Sequence, residues 1–496
     1  MNLLRRIVIL STLFLTIALP ASVPAQTTGN GSDGTVLKEI IIFGRHGIRA
    51  PTSAPSTLDQ YSANSYPVFE DQGQTGYLTP NGATAARLLG AYFNAYLVSE
   101  GLLTGDPQTD LARTYIRANS IQRSNVTADK LGVGLIYGSN PPAKATVPVH
   151  SYDLATADKL AVPDAVFDPL LKGVASIDTD DVNFAVTQAQ AIFGGGTTPP
   201  TALASAYSGE LALLSAVLYP PPAQPTNGAQ GSPGSLDPTT QPITLTASAK
   251  LPPQQPPYFT GNVINMGGLS LMTSANDPFV MQYADGFPIG DGKTFNQNEV
   301  AWGLLTPDTL SLQTRLNVLQ INIAMRTPLL DRVQSSNAAS HVLRTMEQAV
   351  TPGATVRGKF GSAKSRVHII ISSDYYVAGL AGLLNVHWLL PGYQPDFVGP
   401  GGALVFELRQ VQKTGAYVVR VFFTGQTFDQ LRNLTPLSLQ DPPATLQLMV
   451  PDGSDSNLDV KFSTFKKLLT QAIGSQYVQK PSKEDPPGVL TGVPGE

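Results

Sequence analysis

Apolar positions along this chain follow two periods. Ile40, Ile41 and Ile42 form an unbroken β-branched run that passes through Phe43 to Gly44, which predicts a buried strand ending in a turn. Arg366 to Ser372 repeats the pattern with Val367, Ile369, Ile370 and Ile371 and predicts a second strand covered on both faces. Arg113 to Ala118 predicts a shorter strand, then a turn over Asn119 to Ser124 and a helix through Leu131 towards Ile136. Ala403 to Val411 and Tyr417 to Gly425, joined across Lys413 to Ala416, predict an antiparallel hairpin.

Spacings of three and four mark the helices. Leu88, Leu89, Tyr92, Phe93 and Tyr96 predict a helix over Leu78 to Tyr96, with Thr79 as N-cap and Pro80 as its first residue. Further helices are expected over Pro307 to Ile323, Ser335 to Val350, Tyr375 to Leu384 and Phe462 to Ile473. Residues 147–330 differ in character. Ala, Gln, Leu and Ser dominate helical pieces at Ala185 to Ile192 and Ala202 to Leu218, and Pro220 to Pro257 is a proline-rich connection with few charges. This pattern reads as a mainly α cap (147–330, with the loop 220–257) inserted into an α/β core built from 26–146 and 331–480. Residues 481–496 read as a loose tail.

Composition adds a compartment. Arg5 and Arg6 precede an apolar stretch, Ile7 to Ala18, too short to span a bilayer, and Val23 to Ala25 supplies small residues before a cut. Residues 1–25 are therefore expected to be a signal peptide, which places the mature chain in the periplasm or outside the cell without stable membrane insertion. Cleavage removes two arginines and no acid, taking the net charge from −4 to −6. An acidic chain argues against nucleic acid as a partner and requires any anionic ligand to find a local basic pocket. With no cysteine, disulfides and thiolate metal sites are excluded. The five histidines, His46, His150, His341, His368 and His387, lack metal-ligand spacing, so no cofactor is implied. The oligomeric state is not encoded in any of these patterns.

Candidate chemistry gathers at the first strand end. Arg45, His46, Gly47, Ile48, Arg49, Ala50 and Pro51 place one imidazole between two guanidiniums. Guanidiniums are planar forks that match phosphate oxygens, and a neutral imidazole is a nucleophile near neutral pH. Cations this close repel one another unless an anion is normally bound. The run resembles the Arg-His-Gly-x-Arg-x-Pro signature of the histidine acid phosphatases, the branch that includes bacterial phytases and glucose-1-phosphatases. Met281 to Phe287, Glu299 to Gly303, Arg326 to Leu330, Pro400 to Glu407 and Leu431 to Ser438 also resemble that family, most clearly within residues 36–136 and 280–475.

The resemblance implies an α/β fold: a mixed, mostly parallel sheet flanked by helices, like the phosphoglycerate mutase core, with an inserted helical cap. It implies a phosphoric monoester hydrolase acting on phytate, sugar phosphates or similar small esters. His46 would form a phosphohistidine, Arg45, Arg49 and Arg123 would clamp the phosphate, and Asp374 would protonate the leaving group. The family usually carries His-Asp after the second buried strand, where this chain has Ser373 and Asp374. A serine hydroxyl gives one neutral hydrogen bond and no imidazolium charge. Two readings follow: an active or slowed enzyme, or a silent phosphate-binding relative. His368 is five residues before Ser373 and should point to the other face of a regular strand. His387 reads as structural, Tyr375 and Tyr376 should narrow the leaving-group side, and Asp374 also suits a helix N-cap.

Overall fold

β1 (Thr35–Arg45) carries the β-branched run and is buried along most of its length. The computed structural model describes residues 33–69, 75–119, 121–150, 179–193, 205–220, 237–247, 264–351 and 353–478. The expected signal peptide, most of the proline-rich connection and the tail lie outside the described residues. The other main strands are β2 (Thr114–Ala118), β3 (Val367–Ser372), β4 (Ala403–Val411), β5 (Tyr417–Gly425), β6 (Ala444–Gln447) and β7 (Val460–Lys461).

These strands form one mixed sheet in the order β2-β3-β1-β4-β5-β6, with β7 also on β5. β1 and β2 both run parallel to β3, whereas β1 pairs antiparallel with β4 and the rest of the sheet is antiparallel. The mixed sheet flanked by helices is as expected, but its parallel part is smaller: three strands, not the majority. The β4–β5 hairpin occupies the residues its alternation predicts and extends the sheet antiparallel from β1.

Successive side chains of β1 face opposite sides of the sheet. Ile40 and Ile42 join Ile369 and Ile371 in one apolar layer with Leu89, Phe93, Leu131 and Leu135. Ile41 and Phe43 join Ile370 and Phe406 in the other, larger layer. The first layer is covered by α1 (Pro80–Ser99) and α2 (Gln122–Tyr137). These helices approach so closely that a Cβ on Gly90 would lie 2.0 Å from the Leu131 carbonyl oxygen, so only glycine fits there.

Between α2 and β3 the longer described elements are helical: α3 (Thr179–Phe193), α4 (Ser208–Leu218), α5 (Gly268–Ala284), α6 (Pro307–Ile321) and α7 (Leu330–Val350). A short two-stranded sheet pairs Thr246–Ala247 with Ile264–Asn265. The helix expected over Pro307 to Ile323 leaves α geometry at Ile321 and runs into a wider π turn over Asn322–Arg326. α7 then begins five residues earlier than expected, after Leu329 adopts a φ of 73°. α8 (Asp374–Leu384) follows β3, and α9 (Phe462–Ala472) closes the described chain's core.

The parallel register places three strand ends side by side. Arg45 pairs with Ser372, and Ala118 with Ile371. Ligands of open α/β sheets bind beyond such carboxyl ends.

Candidate active site

His46 follows β1 directly, and three backbone bonds fix it. Its amide donates to the Ser372 carbonyl at 2.9 Å, its carbonyl accepts from Gly401 at 3.1 Å, and the Arg45 amide donates to Gly402 at 2.9 Å. The Gly47 amide donates to Thr127 Oγ1 at 2.9 Å, which ties the turn to α2. Gly82, in the first turn of α1, lies under Ile48, and a Cβ there would approach the Ile48 carbonyl oxygen to 2.3 Å. The motif is thus held by both helices of the first apolar layer.

The His46 ring is buried and sits 2.9 Å from the Gly47 carbonyl oxygen through Nδ1. A carbonyl only accepts, so this bond requires the proton on Nδ1 and leaves the lone pair on Nε2. Burial, then the charges of Arg123, Arg45 and Arg49, hold the ring well below the usual imidazole range. The result is a neutral, oriented nitrogen base in a cationic setting.

The three guanidiniums are anchored by separate carbonyls. Arg45 lies beneath the cleft, where Nη1 donates to the Val398 carbonyl at 2.5 Å and Nη2 lies 3.1 Å from Asp374 Oδ2. Arg49 donates through Nη1 to the Ala50 carbonyl at 3.1 Å. Arg123, in the first turn of α2, donates to the Gly76 carbonyl at 3.2 Å. Burial, then the neighbouring Arg49, push Arg123 down to about 10. The Nε atoms of all three are buried without an acceptor among the described residues, a donor set suited to an oxyanion.

Asp374 is the first residue of α8. Ser373 is the N-cap, and its side chain makes no capping bond, so the capping position belongs to Ser373 and not to Asp374. Asp374 Oδ1 accepts from the Tyr375 amide at 3.1 Å. A cleft of about 390 Å³ is lined by His46, Arg49, Arg123, Ser373 and Asp374 together, with Tyr375 and Tyr376 on the same wall. Arg45 reaches this group through Asp374.

One cleft residue had no signal in the sequence. Asp277, on α5, places Oδ2 2.8 Å from Arg49 Nη2 and Oδ1 3.8 Å from Arg45 Nη2. It stands in an ordinary helical stretch, 228 residues from Arg49, and only tertiary packing brings it to the clamp. Pro278, the next residue, lies inside the helix and also lines the cleft.

The other histidines lie elsewhere. His368 is buried on β3, 3.4 Å from Glu39. His387 pairs with Asp396 at 2.7 Å. His341 hydrogen-bonds the Gly358 carbonyl, and His150 stacks on Tyr115 at 4.7 Å between ring centres. None of the four lines the cleft. Among the described residues no cluster of three His, Cys, Asp or Glu side chains is arranged to hold a metal ion, and no helix is long and apolar enough to cross a membrane.

No family model matches the chain. The chain is 28% identical over 450 residues to Phytase AppA of Escherichia coli K12, an alignment covering 90% of this chain and 93% of that protein. It is 24% identical over 468 residues to a glucose-1-phosphatase of Providencia rettgeri, covering 93% and 98% of the two chains. Among solved structures, the phytase of Citrobacter braakii superposes with a TM-score of 0.71 at 23% identity, and the apo form of Hafnia alvei phytase with 0.70 at 25% identity. Each of these covers 90% of this chain and 99% of its own.

Proposed function

We propose that this chain, a relative of the histidine acid phosphatases, hydrolyses phosphate monoesters such as phytate or sugar phosphates through a phosphohistidine on His46. The observation that carries this reading is the bond from His46 Nδ1 to the Gly47 carbonyl, which leaves Nε2 as a free base inside an arginine clamp.

In the proposed reaction His46 Nε2 attacks phosphorus as the ester P–O bond breaks. Arg45, Arg49 and Arg123 donate to the phosphoryl oxygens, whose charge must be held while bonds are exchanged. Protonated Asp374 gives its proton to the departing alkoxide. Water then attacks the phosphohistidine, Asp374 takes a proton from that water, and the P–N bond breaks to release inorganic phosphate. Asp277 balances Arg49 and Arg45 in the resting site, and a bound phosphate competes with it for the same N–H groups.

Residues 147–330 act in this reading as a cap on a discontinuous core of 26–146 and 331–480. The leader at 1–25 directs the chain to the periplasm or beyond. Its partners are small phosphoesters, with neither nucleic acid nor a membrane required.

A second reading is supported by Ser373, which presents a hydroxyl where the family usually has an imidazole: a phosphoester-binding protein with little or no turnover. One experiment separates the two. The mature chain is assayed with a chromogenic phosphomonoester and with phytate between about pH 3 and 7, beside His46→Ala. Turnover that disappears in His46→Ala supports the enzyme. Binding without turnover or phosphohistidine supports the silent relative.

A further inference from the structure

We infer that the cleft beyond the arginine clamp selects esters with a single phosphoryl group on a neutral, polyhydroxylated leaving group such as a monosaccharide, and disfavours polyphosphorylated esters. This rests on the phosphomonoesterase reading and names the substrate class of that site.

The first support is where the charge lies. Among the described residues lining the cleft there is no lysine, and the only arginines are Arg49 and Arg123. Both belong to the clamp around His46, with Arg45 beneath, and Asp277 and Asp374 offset part of their charge. The clamp therefore suits one phosphate dianion. A myo-inositol hexakisphosphate with one phosphoryl group in it holds five more against walls that offer no further cation among the described residues. Each of these would exchange hydration for neutral partners, and hydrogen bonds to neutral partners are about half as strong as charge-assisted ones.

The second support is what the walls offer instead. Asn317 and Gln320 face the cleft from α6, and Thr273 and Ser274 from α5. These are neutral donors and acceptors, the chemistry that hydroxyl groups need. Pro278 has no N–H, so the Ser274 carbonyl lacks the helical bond that residue 278 would otherwise give it. Tyr375 and Tyr376 follow the proton donor on α8 and line the same cleft. An aromatic face packs against the C–H face of a sugar ring and gives a hydrated phosphate no comparable contact. The cleft volume of about 390 Å³ is of the size that holds one small molecule.

The test compares glucose 1-phosphate with myo-inositol hexakisphosphate on the whole mature chain. The expected kcat/KM is at least ~10-fold higher for the monophosphate, equivalent to about 1.4 kcal/mol. Equal or higher kcat/KM for the hexakisphosphate overturns the inference while leaving the phosphatase reading intact. If neither ester turns over, the phosphatase reading fails, and calorimetric binding of the two esters to the same chain still measures the preference. Tighter binding of the hexakisphosphate then overturns it. Gln320→Arg supplies a cation where none is found among the described lining residues and should improve the hexakisphosphate-to-monophosphate ratio by ~5-fold or more. An unchanged ratio counts against the neutral wall as its cause.

Discussion

Asp277 Oδ2 lies 2.8 Å from Arg49 Nη2, so a carboxylate from α5 already occupies a donor of the arginine clamp. Its other oxygen is 3.8 Å from Arg45, which in turn is 3.1 Å from Asp374. Four charged groups, Arg49, Asp277, Arg45 and Asp374, thus form one chain beside His46. In the proposed reaction a bound phosphate has to displace the Asp277 end of it, because an anion and a carboxylate cannot both lie against Arg49 without repulsion.

Asp277→Asn should therefore tighten the binding of inorganic phosphate. The amide keeps the shape and removes the competing charge, and a gain of ~10-fold in affinity, about 1.4 kcal/mol, is expected for one such charge near the surface of a cleft. The inhibition constant for phosphate at fixed pH and low salt measures it. Weaker binding in Asp277→Asn would mean that the carboxylate organises the arginines more than it competes with the ligand.

This pairing also marks the limit of what the chain reveals before it folds. His46, its flanking arginines and Asp374 were legible because each stands at the end of a β-branched run, where residue type and strand position coincide in the sequence. Arg123 was legible through the resemblance of its strand-turn-helix unit, although the unit puts it in the turn over Asn119 to Ser124, whereas the helix starts at Gln122 and takes Arg123 into its first turn. Asp277 was not, because nothing in an Asn-Asp-Pro helical stretch announces which neighbour it will meet. The sheet illustrates the same division. Strand bounds of the β4–β5 hairpin follow from alternation, but its attachment to β1, which makes much of the sheet antiparallel, is a tertiary relation that no local period encodes.

Ser373→His should raise turnover. The Ser373 side chain makes no capping bond, so little local structure is lost. A protonated imidazole at the cleft wall adds a charge-assisted donor where a neutral hydroxyl now stands. Donors of this kind are commonly worth 10²–10³ in rate when removed. The nearby Tyr375 and Tyr376 restrict its placement, so an increase in kcat of about 10-fold is expected. Steady-state kinetics with a chromogenic phosphomonoester below pH 6.5 measures it. No increase, together with an intact fold by circular dichroism, would assign Ser373 to a pocket already adjusted to the two tyrosines.

His341 should make the fold acid-sensitive. Burial pushes its imidazole down to about 3 from an ordinary 6.5. Between those values the unfolded chain binds a proton at this site and the folded chain does not, so stability falls as pH falls from about 6.5 and levels off near 3. The slope for one such site is about 1.4 kcal/mol per pH unit at most. His341→Gln keeps a donor for the Gly358 carbonyl that His341 bonds and removes the titration. Urea unfolding should then lose less stability between pH 7 and pH 4 in the variant than in the parent, and equal losses would contradict this account.

Arg409 tests whether stability and chemistry are separable in the sheet. Its guanidinium is buried and fully engaged: Nη1 is 2.8 Å from Glu407, Nη2 is 2.6 Å from Glu100, and Nε donates to Thr35 Oγ1 at 2.8 Å. Tyr96 adds its hydroxyl to Glu407 at 2.5 Å. Replacing Arg409 with Met leaves two buried carboxylates without their cation, and breaking a buried pair from one side costs about 3–5 kcal/mol. The position is paired with Leu37, near the start of β1, whereas Arg45 ends the strand. At about 3.3 Å per residue, the network lies on the order of 26 Å along the strand from the cleft. Arg409→Met should lower the urea midpoint sharply while kcat/KM at low temperature stays within about 2-fold of the parent. Removing Glu407 as well, in Arg409→Met with Glu407→Leu, should cost less than the sum of the two single changes, because the second substitution removes a carboxylate that the first has left unpaired.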